Sequence, residues 1–409
     1  MKLLLSAYAC APNRGSDYAV GWNWATEAHG LGHEVWVLAS SVHRSDIQAA
    51  CRLDPALNGI QWVFPTIGFW PLEPGVEPKW ERTYNLLWQQ AAVRHARDLH
   101  RQVNFDAIHH ATWAGVRAPT FLGTLGPPLI VGPIGGGETS PRLLRSELPL
   151  RGKFLELLRD VSNRTITLNP IVRPGFTKAA VIFVQTADTQ SLFSGSLRSK
   201  TVIFTTPNLQ DFPVARPRRV WHEPPKFLYV GRLLYWKGGH LALRAFAELA
   251  KHLPGARLTI RGDGPEQPRL VEKVREYGLQ EQVDFVSRMP KDKLSELYDN
   301  HDLLMFPSLH DAGGFVALEA FSHGMPVVCL DLGGPRDIVT SNSGLVIKVA
   351  GRNTAEVVAA MAEEILRLFK SPEKLSELSA GAISRAREFA SAQRVKDFYD
   401  RAAPFIQAS

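Results

Sequence analysis

Short apolar runs alternate with longer amphipathic stretches along the 409-residue chain. The apolar runs predict buried strands, which in the first half lie at Leu3–Tyr8, Glu34–Ala39, Ile60–Pro65, Ala107–Ala111, Leu129–Gly132, Val181–Gln185 and Thr201–Thr205. In the second half they lie at Phe227–Val230, Arg257–Ile260, Val283–Val286, Leu303–Phe306 and Val327–Leu330. Helical patterns fall between these runs, the longest from Lys79 to Val103. Strands that alternate with helices predict parallel sheets covered on both faces.

The pattern is expected to fold as two domains, because a chain of 409 residues is too long for a single hydrophobic core. The stretch Asp211–Arg219 is rich in proline and arginine, as linkers often are. We therefore expect an α/β fold with two Rossmann-like, doubly wound domains, at 1–210 and 211–384. The patterns from Ala355 to Phe369 and from Pro372 to Phe405 are mostly helical.

Composition narrows the class of protein. Hydrophobic residues at 45% and charged residues at 21% are ordinary for a soluble globular chain. The three cysteines, Cys10, Cys51 and Cys329, lack the spacing of a metal site and predict a reduced, cytoplasmic setting. No apolar run approaches the roughly 18 residues that span a bilayer, and the N-terminal run is too short for a signal peptide.

The net charge of +7 favours acidic partners such as nucleotide or lipid phosphates. Part of the excess lies between Arg142 and Lys178, where Phe154, Leu157 and Leu158 interleave with basic residues at helical spacing. Two interpretations are open: peripheral docking on an anionic membrane, or a solvated helix whose apolar stripe faces the core. We favour the second. No zinc finger, helix-turn-helix or RNA-binding motif is present, so a nucleic acid partner is not expected.

Candidate binding residues in the first half follow its strands, since open α/β sheets bind ligands at the carboxyl ends of strands. Gly15 and Ser16 precede a helix and either offer an amide and a hydroxyl to an anion or only cap that helix. His109 and His110 end the fourth strand, and at most one faces a ligand because adjacent residues point to opposite faces. The loop Gly135–Glu138 begins with three glycines, which permit close approach of a ligand. The dinucleotide motif G-x-G-x-x-G and the P-loop motif are both absent, which argues against a nicotinamide dehydrogenase and a P-loop phosphotransferase.

Cations and glycines collect at one predicted edge of the second sheet. Arg232 and Lys237 flank a turn before a helix, an arrangement suited to a diphosphate. Gly262–Pro265 forms another tight turn after the next strand.

Two carboxylates border a glycine pair at the same edge. Asp311 precedes Gly313 and Gly314, a short helix containing Glu319 follows, and Gly324 ends that helix. The glycine pair predicts free amides at a helix N-terminus, which is an anion site between two carboxylates.

These motifs resemble the retaining GT-B glycosyltransferases of glycosyltransferase family 4. The resemblance rests on Gly231-Arg232 with Lys237-Gly238, on Gly262-Asp263-Gly264-Pro265, and on Asp311 and Glu319 followed by Gly324-Met325-Pro326. The Gly15-Ser16 and Gly132–Glu138 loops resemble a bacterial branch associated with cell-surface polysaccharides. The resemblance implies two domains that face each other across a cleft. It also implies that a C-terminal helix within 385–409 crosses back onto the N-terminal domain.

The resemblance also implies residue roles. It assigns Arg232 and Lys237 to the donor diphosphate, Glu319 to the ribose and Asp311 to the transferred sugar. Further donor contacts are implied at Gly15, Ser16, Gly262, Gly264, Gly313, Gly314 and Phe315, acceptor contacts at Gly135, Gly136 and Glu138, and catalytic roles at His109 or His110, Asp311 and Glu319. Two positions depart from the family pattern: Asp311 replaces a glutamate, and Ala111 stands where the family's later histidine is common.

The function that the resemblance implies is metal-independent, retaining transfer of a sugar from a UDP- or GDP-type donor, without a cofactor. The acceptor is a saccharide, a lipid-linked molecule or a small molecule, and the base is expected to contact Ser287–Met289. The expected location is the cytoplasm, with the inner face of the membrane as an option. A sugar-nucleotide epimerase on the same fold and a degenerate binding protein without turnover are the alternatives.

Overall fold

The computed structural model describes residues 1–15, 17–70, 72, 75–76, 78–206, 220–287, 289 and 291–408, with only the backbone at 291 and 292. Ser16, Arg288 and the predicted linker Asp211–Arg219 lie outside the described residues.

The chain forms two compact units. The first comprises the described residues of Met1–Gly137, Ser162–Gln210 and Ala390–Ser409, and the second those of Glu138–Val161 and Asp211–Phe389. The expected boundaries at 210 and 384 differ from these units in one main respect. Residues 138–161, which precede the linker in sequence, belong with the second unit because their polar side chains bond to its loops, as described below.

The first unit contains a parallel sheet of seven strands in the order β3-β2-β1-β4-β5-β6-β7. Its strands are β1 Lys2–Ser6, β2 Glu34–Leu38, β3 Gln61–Val63, β4 Ala107–His110, β5 Leu129–Ile134, β6 Ala179–Val184 and β7 Thr201–Ile203. The helices up to this point in the chain are α1 Asp17–Gly30, α2 Arg44–Leu53, α3 Glu81–Val103, α4 Leu150–Thr165, α5 Arg173–Lys178, α6 Ala187–Gln190 and α7 Gly195–Arg198.

The second unit contains a parallel sheet of six strands in the order β10-β9-β8-β11-β12-β13. Its strands are β8 Lys226–Val230, β9 Arg257–Arg261, β10 Val283–Val286, β11 Leu303–Phe306, β12 Val327–Leu330 and β13 Gly344–Ile347. The later helices are α8 Gly239–Ala250, α9 Gln267–Glu276, α10 Lys291–Asp299, α11 Phe315–Ser322, α12 Gly333–Ile338, α13 Thr354–Phe369, α14 Pro372–Arg387 and α15 Ser391–Gln407. Two Rossmann-like parallel sheets confirm the predicted α/β fold class.

The last helix, α15, packs in the first unit against α1 and β6. The Phe398 ring lies 4.1 Å from that of Phe183 and 4.4 Å from that of Trp24, measured between centroids. Asn23 Nδ2 donates to Ser391 Oγ over 3.2 Å. The described residues 390–408 therefore complete the core of the first unit.

In the parts of the chain that the structure describes, no helix combines the length and the apolar character needed to cross a membrane. Cys10, Cys51 and Cys329 are free thiols, of which Cys10 and Cys329 are buried.

Candidate functional site

The strand order of the second sheet places a topological switch between β8 and β11. From β8 the chain proceeds outward to β9 and β10, and then returns to β11 on the other side. Loops at the carboxyl ends of two such strands diverge and leave a crevice, the usual ligand site of open α/β sheets. Lys237 follows β8 and Asp311 follows β11, so the fold itself brings these two predicted residues together.

The loops after β8 and β11 are bonded to each other. Trp236 O accepts hydrogen bonds from Leu309 N at 2.8 Å and from Ser308 Oγ at 3.2 Å. Gly238 has φ +74° before α8, and a Cβ at this position would lie 1.9 Å from Pro307 O. Only glycine fits this close approach with a left-handed backbone. The two loops therefore hold Lys237 at a fixed distance from β11.

Lys237 and Asp311 form an ion pair between their side chains. Asp311 Oδ1 also accepts from Gly314 N at 2.8 Å. Burial would raise the pKa of Asp311, but the Lys237 ammonium and the Gly314 N–H hold it below its ordinary value. The sequence predicted free amides at Gly313 and Gly314, and the expectation for Gly314 is wrong because Asp311 occupies its N–H.

The Gly262–Pro265 turn follows β9, which pairs with β8 on the side away from β11. This turn contacts the backbone around Arg232. A Cβ at Gly262 would lie 1.8 Å from Gly231 O, and Leu233 N donates to Asp263 O over 2.9 Å. Gly264 is equally confined, because its Cβ would lie 2.3 Å from Leu233 O. These contacts hold the backbone around Arg232, whose exposed side chain has no ion pair among the described residues.

Glu319 lies in α11, the helix that begins directly after the glycine pair. Its Oε2 accepts a hydrogen bond of 2.9 Å from the buried Tyr298 hydroxyl. Phe315 is the first residue of α11, and its ring would lie 2.9 Å from a Cβ at Gly313. Gly324, with φ +65°, follows the end of the helix, as the sequence predicted.

A buried network under the β8 and β11 loops contains residues that sequence reasoning missed. Glu156 of α4 is fully buried, and its Oε1 accepts from Tyr235 OH and His310 Nε2, each at 3.0 Å. Its Oε2 accepts from Ser140 N, also at 3.0 Å. The His310 ring stacks on Trp236 at an interplanar angle of 11°. Glu156 thus bonds to Tyr235, two residues before Lys237, and to His310, directly before Asp311.

The protonation states of Glu156 and His310 follow from this geometry. Burial would raise the pKa of Glu156, but the hydrogen bonds from His310 and Ser140 lower it to about 2. Burial lowers the pKa of His310. The hydrogen bond to Glu156 raises it by less, so the pKa of His310 lies below its ordinary value. Because an ionised Glu156 can only accept, the imidazole of His310 carries a proton on Nε2 and donates it to this carboxylate.

The arrangement as a whole is suited to an anionic ligand. Arg232 and Lys237 supply two cations at a switch point, and Asp311 supplies a carboxylate that can release Lys237 to a ligand phosphate or accept from a ligand hydroxyl. Among the described residues no group of three His, Cys, Asp or Glu side chains is placed to hold a metal ion.

Residues 212–385 match the family model for glycosyl transferases group 1. This range contains Arg232, Lys237, Asp311 and Glu319, so the candidate site lies within the part of the chain that resembles this family. A glycogen synthase from Mycobacterium tuberculosis is 35% identical over 170 residues, which are 42% of this chain and 41% of that protein. A D-inositol 3-phosphate glycosyltransferase from Frankia alni is 37% identical over 172 residues, which are 40% of this chain and 41% of that protein. The matched part therefore spans 41% of the length of these curated relatives.

Solved glycosyltransferase structures share the fold over nearly the full chain. Sucrose-phosphate synthase from Thermosynechococcus elongatus superposes with a TM-score of 0.64 at 16% identity, covering 100% of both chains. Anabaena HepE in complex with UDP gives a TM-score of 0.59 at 14% identity, covering 99% of this chain and 100% of that chain. At such identities the likeness shows the fold alone.

The two predicted histidines of the first unit occupy different environments. His109 is fully buried, donates from Nε2 to Gly132 O over 2.7 Å and bonds through Nδ1 to Tyr399 OH over 2.9 Å. Burial lowers its pKa to about 3. His110, 2% exposed, lies 3.4 Å from Ser6 Oγ through Nδ1, and its Nε2 has no hydrogen-bond partner among the described residues. His109 is thus fully occupied in the core, and His110 retains a nitrogen that a ligand could use.

The glycine loop that precedes Glu138 is held from several sides. Gly137 N donates to Thr189 Oγ1 over 3.1 Å, and Gly137 O accepts from Asn163 Nδ2 over 2.8 Å. Gly136, with φ +113°, accepts from Arg117 Nη1 over 2.8 Å, and Gly135 pairs with Gly115 in an isolated bridge. Glu138 is buried and belongs to the second unit.

Gly15, the remaining predicted donor contact, is exposed, and a Cβ there would contact nothing within 4 Å. No packing constraint in the described structure requires glycine at this position.

Proposed function

We propose that this protein is a retaining, metal-independent glycosyltransferase that uses a nucleoside diphosphate sugar as donor. The observation that carries the proposal is the placement of Lys237, Asp311 and Arg232 at the switch point of a sheet whose residues match a glycosyltransferase family. The names of the relatives, a glycogen synthase and an inositol phosphate glycosyltransferase, support transfer to a hydroxyl-bearing acceptor. The Anabaena structure in complex with UDP-glucose supports a UDP-type donor.

In the proposed reaction, Lys237 and Arg232 neutralise the nucleoside diphosphate as it departs. Charge builds on the diphosphate oxygens when the bond to the sugar breaks, and cations fixed in advance stabilise that charge. Lys237 is fixed by Asp311 and by the bonded loops, so little reorganisation is needed when the donor binds. Without a metal ion, these two side chains carry the neutralisation.

The remaining roles follow from position. We assign Glu319 to the ribose hydroxyls, with Tyr298 fixing its carboxylate, and Asp311 to a hydroxyl of the transferred sugar. We assign any substrate contact at the end of β4 to His110, because both nitrogens of His109 are occupied. Gly135 and Gly136 are proposed for the acceptor. The acceptor class, the family 4 branch and the cytoplasmic setting stay predictions from the sequence.

The direct test supplies the protein with UDP-, GDP- and ADP-sugars and candidate acceptors and measures nucleoside diphosphate release. Lys237→Met and Glu319→Gln are expected to lower kcat/KM by about 100-fold or more. Lys251→Met, which alters an exposed lysine just after α8, is the matched control and should behave as wild type. Nuclear magnetic resonance of the product anomer checks retention.

Two outcomes would overturn the proposal. Conversion of the donor into a different nucleotide sugar without an acceptor would identify an epimerase. A donor that stabilises the protein by about 2.7 kcal/mol at 100 times its Kd, yet is never turned over with any acceptor, would identify a binding protein.

A further inference from the structure

Helix α4 exposes most of its apolar residues while it buries the carboxylate of Glu156. Leu150, Phe154, Leu157, Leu158 and Val161 are between 48% and 84% exposed. At about 100° per residue they fall within an arc of roughly 100° on one face of the helix. We call this the apolar face of α4. The sequence-based preference for a stripe that faces the core is therefore wrong.

The polar side of α4 is fixed against the protein. Glu156 accepts from Ser140 N, Tyr235 OH and His310 Nε2, and Arg145 forms a two-pronged ion pair with Asp160 at 2.7 and 2.9 Å. Rotation of the helix to bury its leucines would break these bonds and leave a carboxylate uncompensated. The outward direction of the apolar face is thus set by the buried network.

Basic residues border the apolar face. On the same projection Arg151 lies at one edge, and Lys153 and Arg164 lie at the other. All three side chains are exposed and have no ion pair among the described residues. The acids of this helix do not offset these cations, because Glu156 accepts from His310 and Asp160 is paired with Arg145. The exposed surface of α4 is therefore apolar at its centre and cationic at its edges.

An apolar face of this kind is unusual on a surface helix. Helix α13 shows the ordinary pattern, with Val357, Met361, Ile365 and Leu368 all buried. A protein partner would need a complementary apolar groove, and the uncompensated cations on both edges specify an anionic surface in addition. A bilayer with anionic lipid meets both conditions. Leucine and phenylalanine side chains can be buried among its acyl chains, and arginine and lysine side chains can pair with its phosphates.

We propose that α4 docks this protein on an anionic lipid bilayer, with Phe154, Leu157 and Leu158 inserted at the boundary between headgroups and acyl chains. Arg151, Lys153 and Arg164 lie at the level of the lipid phosphates. This interaction is separate from glycosyl transfer and requires no sugar nucleotide, so the two proposals can fail independently.

The test is sedimentation with vesicles of phosphatidylcholine alone and with vesicles rich in phosphatidylglycerol, in the absence of donor. We expect binding to the anionic vesicles that weakens as salt is raised. Leu157→Gln with Leu158→Gln should weaken partitioning by about 10-fold or more. Arg151→Gln with Lys153→Gln should weaken it by about 10-fold and reduce its dependence on salt.

Matched controls use exposed residues outside α4. Leu53→Gln removes an exposed leucine from α2, and Lys370→Gln with Lys374→Gln removes two lysines around the start of α14. Both should bind vesicles as wild type does. Circular dichroism and the thermal midpoint confirm that each variant is folded, which is expected because every altered side chain is exposed.

Three results would overturn the proposal. One is the absence of binding to anionic vesicles, and another is binding that the α4 variants leave unchanged. The third is a wild-type dimer in light scattering that the leucine variant converts to a monomer, because a second copy of the chain would then cover the apolar face.

Discussion

At the residue scale, Glu156 joins three separate segments of the second unit through one buried carboxylate. Its two oxygens accept from the backbone of Ser140, from Tyr235 after β8 and from His310 after β11. Tyr235 and His310 are separated by 75 positions in the chain numbering, yet they share a single carboxylate oxygen. Sequence reasoning could not identify Glu156, because an acid among leucines on a helix ordinarily faces solvent.

The pH dependence of stability tests this role. The folded pKa of Glu156, about 2, lies below its ordinary value of 4.5. Its contribution is therefore fully present above pH 4.5 and is lost as the pH falls through about 2. Glu156→Gln should destabilise by about 3 kcal/mol at pH 7 and by much less near pH 2, as measured by urea unfolding across this range. An equal loss at both ends would show that the carboxylate charge contributes nothing.

At the element scale, the candidate site depends on three loops that pack backbone against backbone. The positions of Gly238, Gly262 and Gly264 let the loops after β8, β9 and β11 approach within bonding distance. The sequence predicted the bounds of β10, β11 and β12 as the structure has them, because each is a short, mostly apolar run with a polar residue or a proline at each end. It missed β13, an edge strand that pairs only with β12 among the described strands and whose central residues are half-exposed.

Two glycines of the second unit separate the cost of a left-handed backbone from the cost of close packing. Gly278 has φ +68°, and a Cβ at this position would have no atom within 4 Å, whereas Gly238 has φ +74° and its Cβ would meet Pro307 O at 1.9 Å. Gly278→Ala should cost about 1 to 2 kcal/mol from the backbone alone. Gly238→Ala should cost about 3 kcal/mol or more, and should also lower activity because Lys237 moves. Thermal unfolding measures the loss of stability in each variant, and the nucleotide-release assay measures the loss of activity. Equal losses of stability in Gly278→Ala and Gly238→Ala would contradict the packing argument.

At the scale of the whole molecule, the C-terminal helix is part of the core of the first unit. Phe398 of α15 is fully buried among Trp24, His109, Phe183 and Phe204. Residues 390–408 pack in the first unit although they follow the residues of the second unit in the chain. No local pattern could indicate this, because an amphipathic helix does not encode which surface it will meet.

Phe398→Ala tests the contribution of this helix. Removal of a fully buried aromatic ring should cost about 3 to 5 kcal/mol, observed as a lower midpoint of thermal unfolding for the first unit. Phe69→Ala, which alters an exposed phenylalanine of the same unit, should leave the midpoint within about 1 °C of wild type. A comparable loss in both variants would mean that α15 is dispensable.

The sequence thus predicted the two sheets, because short apolar runs that alternate with helical patterns have few alternative folds. The roles assigned to Arg232, Lys237, Asp311 and Glu319 stay predictions, although the structure places all four residues in the second unit. The sequence did not predict which side of α4 is buried, since the periodicity of Leu150, Phe154, Leu157 and Val161 is the same whether they face core or lipid. It left His109 and His110 undecided for a similar reason: alternation separates their directions without identifying the packed face. In the structure, His109 faces the side that α15 covers, where its ring bonds to Tyr399 and stacks on Phe398.

The membership of residues 138–161 in the second unit has a consequence for recombination between related enzymes. Among the described residues the chain changes unit at Gly137/Glu138, at Val161/Ser162, between residues 206 and 220, and at Phe389/Ala390. A hybrid gene joined only between residues 206 and 220 would therefore combine the Tyr235 and His310 of one parent with the Glu156 of another. To keep the buried network intact, a hybrid must take residues 138–161 from the same parent as the rest of the second unit, as a separate insert upstream of the main junction. A single junction would preserve the network only when both parents have a glutamate at position 156.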